Sequence, residues 1–228
     1  MSWSGGKDSA LALYQARRDP QLQVTQLLTN VSAPYDRVSM HGVRTELLAL
    51  QAQRLRLPLR QLRLPEMPTM AAYEQGMAEV LAEAQEQGVA RVVYGDIFLE
   101  DLRDYREQQL ARAGLRGSYP LWQRTGAELL RELLDLGFQA IVVCVDERWL
   151  DASFCGRLLD RSFLHDLPPG VDPCGENGEY HSFVFDAPEF SSPIAVARGE
   201  LVHRTYPAPG GGAAPASCWF CDLLPAAG

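Results

Sequence analysis

The chain has 228 residues, a formal net charge of −8 and a sequence pI near 5.0. Its hydrophobic content of 46% and charged content of 22% are ordinary for a globular protein with a buried core. The acidic balance argues against nucleic acid as a partner, because such binding requires concentrated basic charge. No apolar run is long enough to span a membrane and no signal-peptide pattern precedes residue 4, so we expect a cytoplasmic protein.

Helix and strand patterns alternate through the first half of the chain. A helix pattern begins directly after Ser9. The elements predicted after it are a strand over Leu22–Thr29, a helix over Val43–Leu55, a strand over Leu59–Leu64, a helix over Met70–Ala84, a strand over Val92–Tyr94 and a helix over Glu100–Ala113. Strands and helices that alternate at this spacing form βαβ units, which place a parallel sheet between layers of helices.

The second half is less regular. Its patterns predict a helix over Glu128–Leu136 and strands over Phe138–Val145 and Tyr180–Phe185. The composition of Pro207–Pro215 predicts a flexible linker, and we expect the residues after it to form a poorly ordered tail. The predicted organisation is a parallel-sheet α/β domain over 1–118, a smaller α/β domain over 119–206 and a flexible tail over 207–228.

The loop before the first helix carries the clearest chemical signal, and its residues are Ser4, Gly5, Gly6, Lys7, Asp8 and Ser9. The glycines let the backbone approach a ligand closely, and the helix N-terminus behind them supplies N–H donors for an anion. The serines add hydroxyl groups, Lys7 a cation, and Asp8 a hard oxygen ligand for Mg²⁺. The pattern is not a Walker A loop, because Asp8 stands where Ser or Thr would follow the lysine. The alternative is an ordinary glycine-rich turn.

Lys7 is the only lysine among 21 basic residues, the other 20 being arginine. An arginine-rich background is typical of a GC-rich genome, so the retained lysine indicates a site that does not accept a guanidinium group. Only Met1–Trp3 precede the loop, and so short a strand predicts weak anchorage of the loop. Asn30 and Gly95-Asp96 also follow predicted strands and could share one crevice with the loop.

The loop resembles the pyrophosphate-binding loop of the N-type ATP pyrophosphatases. Two further segments narrow the resemblance: one runs from Gly95-Asp96-Ile97 through Arg103 and Arg106 to Trp122, and the other from Asp172 through Cys174 to Pro188. With the loop, these segments are similar to the diphthine–ammonia ligase family. The resemblance covers about residues 2 to 190, and the second segment is its most specific part.

The resemblance implies a Rossmann-like nucleotide-binding domain, of the adenine nucleotide alpha hydrolase type, followed by a smaller α/β domain. It also implies that ATP and Mg²⁺ adenylate a carboxylate, with loss of pyrophosphate, before ammonium supplies the nitrogen of an amide. The implied acceptor is diphthine on a translation elongation factor. A bacterial source would require another acceptor, because bacteria lack that factor. A homodimer is compatible with the sequence.

On this resemblance the catalytic candidates are Lys7, Asp96, Glu176 and Glu179. The nucleotide-binding candidates are Ser4, Gly5, Gly6, Lys7, Asp8, Ser9, His41, Gly95 and Asp96, and the metal candidate is Asp8.

Several of these residues have plainer interpretations. Asp96 could cap the following helix, and the two glutamates could belong to a solvated acidic turn. His181 is either a proton carrier or a structural histidine. Arg103 and Arg106 could reach phosphates or lie on an exposed helix face.

Five cysteines, an odd number, argue against a disulfide framework. Cys218 and Cys221 form a C-x-x-C pair with no second pair, so a metal or redox role competes with an incidental one or with an oligomer contact. Two other functions stay open: a tRNA-thiolating enzyme, which would need a basic face and working cysteines, and a nucleotide-binding protein without turnover.

Overall fold

A computed structural model describes residues 1–206 and 216–226. Its helices are α1 Lys7–Ala16, α2 Thr45–Leu55, α3 Met70–Glu86, α4 Glu100–Arg112, α5 Gly126–Asp135 and α6 Arg161–Asp166, with a 3₁₀ helix over Ala152–Phe154. Its strands are β1 Leu27–Ser32, β2 Arg37–Val38, β3 Leu59–Leu64, β4 Arg91–Val93, β5 Arg116–Ser118, β6 Gln139–Asp146, β7 Tyr180–Asp186, β8 Val196–Tyr206 and β9 Ala216–Pro225. The linker predicted over Pro207–Pro215 lies outside the described residues. Within them, no helix combines the length and apolarity that crossing a membrane requires.

A parallel sheet runs through the first half of the chain. Strand β1 pairs in parallel with β3, and β4 pairs in parallel with β5. Residues 1–3 lie between the two pairs: the amide of Ser2 donates to the carbonyl of Val93 over 2.9 Å, and that of Trp3 to Leu28 over 2.7 Å. Buried residues of α1 and α2 and those of α3 and α4 form two separate apolar clusters with the strands. The predicted helix-flanked parallel sheet is therefore confirmed.

The short N-terminal segment is anchored by a buried glutamine. Gln51 on α2 is fully buried. Its Oε1 accepts a hydrogen bond from Trp3 Nε1 at 2.9 Å, while its Nε2 donates to the carbonyls of Gly5 at 3.0 Å and Val184 at 2.7 Å. Trp3 itself is 1% exposed. One side chain thus joins the segment before the loop, the loop and β7, and the anchorage that the sequence predicted to be weak is supplied by α2.

The second half of the chain forms an antiparallel sheet in the order β7-β6-β9-β8. Strand β6 follows α5, whose start is fixed by a capping box between Thr125 and Glu128. Every residue of β6 after Gln139 is buried, which matches the apolar run that predicted it. This sheet and its helices form the smaller C-terminal α/β region, as expected.

The prediction of a flexible tail is wrong for residues 216–226. Strand β9 lies inside the antiparallel sheet, between β6 and β8. Cys221 and Leu223 are buried in the main core. The neighbouring Pro- and Gly-rich composition suggested disorder, but the strand is stabilised by pairing with β6, more than 70 residues earlier, which a local pattern does not reveal.

Other differences have local causes. Strand β1 begins at Leu27 and not at Leu22, while β2 and β5 have only two and three residues and carry no usable alternation. Strand β8 is an edge strand whose residues are mostly exposed, so its sequence lacks an apolar signal.

Replacing the buried glutamine tests this anchorage. We expect Gln51→Leu to lower the free energy of unfolding by about 3 kcal/mol, because Trp3 Nε1 and the carbonyl of Gly5 each lose a buried hydrogen-bond partner. Urea denaturation measures the change. Gln53→Leu is the matched control on the exposed face of the same helix. Equal stability of the two variants would contradict the proposed role of Gln51.

Candidate active site

A cavity of about 380 Å³ opens where residues 1–3 and β4 end, beside β1. Four sequence-distant segments meet around it: the loop after Trp3, the turn around His41, the turn after β4, and the segment that leads into β7. The predicted site residues that line the cavity are Ser4, Lys7, Asp8, Ser9, Asn30, His41, Gly95, Asp96, Arg106, Glu176 and His181. The fold thus brings together residues more than 170 positions apart.

The two loop glycines lie behind the cavity wall and do not line it. Gly5 has a φ of +78°, a left-handed conformation that favours glycine. A Cβ at Gly6 would approach His41 Cε1 to 2.9 Å and the carbonyl of Ser182 to 3.0 Å. Gly6 is therefore required for the close approach of the loop to β7.

Hydroxyl groups hold the loop backbone. Ser4 Oγ accepts a hydrogen bond from the amide of Gly6 at 3.2 Å, and Ser9 Oγ donates to the carbonyl of Gly6 at 2.9 Å. Ser182 Oγ on β7 accepts from the amide of Lys7 at 3.2 Å. The hydroxyl from β7 thus satisfies one of the N–H groups at the start of α1, where no side chain of the helix itself acts as a cap.

Lys7 is a buried cation. It is 2% exposed, its Nζ lies 2.8 Å from Asp8 Oδ2, and the ring centroid of Tyr180 is 4.9 Å away. Burial alone would lower the pKa of Lys7, but the attraction of the Asp8 carboxylate outweighs burial and raises the pKa above its ordinary value. Lys7 therefore stays protonated at neutral pH, as the buried half of an ion pair with Asp8 at the cavity.

Asp96 faces the cavity from the end of β4. Its Oδ2 lies 2.6 Å from Arg106 Nε, and the guanidinium group of Arg106 also stacks on the ring of Tyr94 at 4.4 Å. The N-cap of α4 is Leu99, so the interpretation of Asp96 as a helix cap is wrong. Beside it, a Cβ at Gly95 would meet the backbone of Asp8 at 2.9 Å, so this position too requires glycine.

Glu176 carries a shifted carboxyl group. Its Oε1 accepts a hydrogen bond from the amide of Ile97 at 2.7 Å, which ties the acidic segment to the end of β4. Burial raises the pKa of Glu176 to about 7, although the Ile97 hydrogen bond opposes the shift. The group can therefore gain or lose a proton near neutral pH, as a general acid or base requires.

The structure separates Glu179 from Glu176. Glu179 is fully buried and does not line the cavity. Its carboxylate accepts hydrogen bonds from the amides of Asp172 at 3.1 Å and Asn177 at 2.9 Å, and from Asn177 Nδ2 at 3.0 Å. Glu179 thus fixes the turn that presents Glu176, and its carboxylate does not face the cavity.

Two histidines form one wall of the cavity. The rings of His41 and His181 stack with their centroids 4.5 Å apart. Burial lowers the pKa of His41 to about 4 and that of His181 well below its ordinary value, with Lys7 adding to both shifts. Both rings are therefore neutral at neutral pH. Since the carbonyl of Ser182 lies 3.2 Å from His41 Nδ1, that nitrogen carries the proton.

Other candidates lie away from the cavity. Arg103 packs its guanidinium group 4.5 Å from the ring of Trp122 and does not line the cavity. Neither do the five cysteines, all of which lie in the described part of the chain. Cys218 and Cys221 stand three residues apart on β9, and positions at that spacing face opposite sides of a sheet.

Sequence reasoning did not assign Ser182 or Tyr180, although both belong to the segment that carries the resemblance. The hydroxyl of Tyr180 donates to the carbonyl of Pro173 at 2.6 Å, and its ring faces Lys7. The alternation in β7, where Tyr180, Ser182 and Val184 share one face, was the available signal. It could not show that this face lies against the loop.

Comparisons with known proteins show the family of the chain. The family model described as the diphthamide synthase N-terminal domain matches residues 1–117, and the diphthamide synthase C-terminal domain matches residues 125–206. The chain is 29% identical over 222 residues to the diphthine–ammonia ligase of Homo sapiens and 30% identical over 222 residues to that of Mus musculus, in both cases over 87% of this chain and 82% of the relative. It is 33% identical over 123 residues to the Bos taurus enzyme, over 52% of this chain and 46% of the relative. The chain therefore belongs to the diphthamide synthase family.

Proposed function

We propose that this protein is an ATP-dependent ligase that adenylates a carboxylate, releases pyrophosphate and converts the adenylate to an amide with ammonia. The relatives named diphthine–ammonia ligase support diphthine as the acceptor class. The observation that carries the proposal is the buried cation Lys7 at the start of α1, beside a loop that only glycines can form.

The residues of the cavity fit ATP. A volume of about 380 Å³ falls within the range of small-molecule sites. The start of α1 and the Lys7 ammonium both attract phosphate oxygens. The rings of His41 and His181 are neutral, so the positive charge that attracts the phosphates is that of Lys7.

Mg²⁺ fits as a ligand shared with the nucleotide. Within residues 1–206 and 216–226 no three His, Cys, Asp or Glu side chains are grouped to hold a metal. Protein-bound Mg²⁺ commonly uses one or two carboxylates together with substrate phosphates. Asp8, whose side chain is 31% exposed at the cavity, would supply such a carboxylate. The ion would neutralise charge on the leaving pyrophosphate.

Each step of the reaction assigns a task to a residue of this chain. A carboxylate oxygen is a poor leaving group. Its attack on the α-phosphorus of ATP would release pyrophosphate and form an acyl adenylate, a mixed anhydride from which ammonia displaces AMP to leave the amide. Lys7 offsets the negative charge that develops as pyrophosphate leaves. Glu176 accepts the proton from ammonium or from the attacking nitrogen, because its pKa near 7 suits a base at neutral pH. Asp96, held by Arg106, positions the nucleotide, and Glu179 positions Glu176.

Product analysis tests the proposal directly. The protein is incubated with ATP, Mg²⁺ and ammonium chloride, with a diphthine-bearing elongation factor as first acceptor and a panel of small carboxylates beside it. We expect AMP and pyrophosphate in equal amounts and an acceptor whose mass falls by about 1 Da as OH is replaced by NH₂. Formation of ADP and phosphate, or nucleotide binding without turnover on any acceptor, would overturn the proposal.

Substitution of the single lysine has a defined expectation. Lys7→Met keeps the volume but removes the charge, and we expect AMP formation to fall about 10³-fold, as for loss of other groups that stabilise developing charge. Lys7→Arg should not restore activity, because a planar guanidinium group does not reproduce the compact ammonium group that lies 2.8 Å from Asp8 Oδ2 and 4.9 Å from the ring centroid of Tyr180.

Arg18→Ala is the control, because Arg18 is exposed and lies just after the C-terminal end of α1. This variant should keep wild-type turnover. Thermal unfolding of each variant separates lost catalysis from lost folding. A Lys7→Met protein that folds and turns over ATP at the wild-type rate would refute the role of Lys7.

The pH profile tests Glu176. A base must be ionised to act, so with saturating ammonium the rate of amide formation should rise as pH increases through about 7 and then level off. In Glu176→Gln we expect a loss of about 10²-fold and no inflection near pH 7. Glu86→Gln, on the exposed end of α3, is the control and should keep the wild-type profile. An unchanged inflection in Glu176→Gln would assign the base to another group.

A further inference from the structure

The hairpin over residues 37–44 carries a cavity residue and has an unfavourable charge arrangement at its base. Val38 donates its amide to the carbonyl of Val43 at 2.8 Å, and His41 lies in the turn between them. Arg37 and Arg44 stand directly opposite each other as an antiparallel pair. Like charges that face each other across two strands destabilise the pairing.

Asp222 on β9 supplies one counter-charge that both arginines share. Its Oδ1 lies 2.8 Å from Arg37 Nη1 and 3.0 Å from Arg44 Nε, and its Oδ2 lies 2.7 Å from Arg44 Nη2. Partial burial opposes the charge of Asp222, but the hydrogen bonds from Arg44 and Arg37 outweigh burial and lower the pKa of its carboxyl group. A single carboxylate therefore binds both sides of the hairpin.

A second contact from β9 reaches the turn itself. Gly42 has a φ of +70°, and a Cβ there would come within 2.7 Å of the ring of Phe220. The carbonyl of Gly42 also accepts a hydrogen bond from Arg37 Nη1 at 2.7 Å. The residue after His41 is thus held between the ring of Phe220 and an arginine that Asp222 orients.

We propose that Asp222 is a positioning residue, which fixes the 37–44 hairpin and thereby holds His41 against the loop at Gly6. Strand β9 lies outside residues 1–117 and 125–206, the ranges matched by the two family models. Strand β9 therefore supports, through the hairpin, a cavity whose lining residues all come from the matched ranges. The expected effect of Asp222 on ATP binding rests on the proposed function, whereas its effect on the order of the hairpin does not.

Kinetics and hydrogen exchange test the inference together. In Asp222→Asn the two arginines lose their counter-charge, so we expect amide exchange within residues 38–43 to be at least about 10-fold faster, measured by mass spectrometry. The KM for ATP in pyrophosphate release should rise about 10-fold while kcat changes less than about twofold, because His41 lines the cavity proposed for the nucleotide and the proposed mechanism gives it no part in the chemical steps.

Three further variants separate positioning from general stability. Asp222→Glu keeps the charge and should stay within about threefold of the wild-type KM. Arg44→Gln combined with Asp222→Asn relieves the repulsion and should be no worse than Asp222→Asn alone. Asp135→Asn breaks an exposed ion pair with Arg161 and should change neither readout.

Each outcome has a clear meaning. If Asp222→Asn leaves the hairpin exchange unchanged, or lowers kcat and stability without a change in the KM for ATP, the inference is overturned. If the wild-type protein releases no pyrophosphate from ATP, the proposed function fails, and the hydrogen exchange of the hairpin alone decides the role of Asp222. If Asp222→Asn does not fold, the double variant decides instead: it still lacks the bond between Asp222 and Arg37, so unchanged exchange of the hairpin in it overturns the inference.

Discussion

The site depends on the hydrogen bonds that converge on the carbonyl of Gly5. Gln51 Nε2 and the amide of Val184 both donate to this oxygen, at 3.0 and 2.9 Å. One donor comes from a helix of the parallel-sheet region and the other from the antiparallel sheet. The conformation of the loop therefore requires both regions to be folded, and the start of α1, with Lys7, is placed as a consequence.

The electrostatics of the cavity follow from the different partners of its buried ionisable groups. Lys7 keeps its charge because Asp8 is adjacent, whereas His41 and His181 lose theirs because no carboxylate contacts either ring among the described hydrogen bonds. Glu176 lies between these extremes, since burial opposes its charge and one backbone N–H supports it. At neutral pH the cavity is therefore lined by a protonated lysine, two neutral imidazole rings and a carboxyl group that can titrate.

The sequence predicted the first half of the fold well because its elements are local. Amphipathic helices such as α3 show their period directly, and β4 shows a short run of apolar residues. The glycine-rich loop indicated phosphate binding from residue types alone. What could not be predicted was the pairing of β9, because its partner β6 is remote in sequence and the composition before β9 suggests a linker.

The same reason explains the errors within the site. Glu176 and Glu179 stand three residues apart in an acidic turn and look equivalent in the sequence. Only the folded turn shows that Glu179 accepts hydrogen bonds from its own neighbours while Glu176 reaches Ile97. Likewise, Ser182 becomes a partner of Lys7 only when β7 lies against the loop. Such roles depend on orientation, which residue type does not determine.

The two regions share one apolar core, and this affects how ligands can enter and leave the cavity. One apolar cluster includes Trp3 and Leu11 of the first region together with Val142, Phe183 and Leu223 of the second. Hinge opening of two lobes requires a weakly packed seam between them, and this cluster crosses the boundary where such a seam would lie. We therefore expect nucleotide to enter and pyrophosphate to leave through small local movements at the cavity mouth. Local opening of a few surface turns would then set the rate of product release.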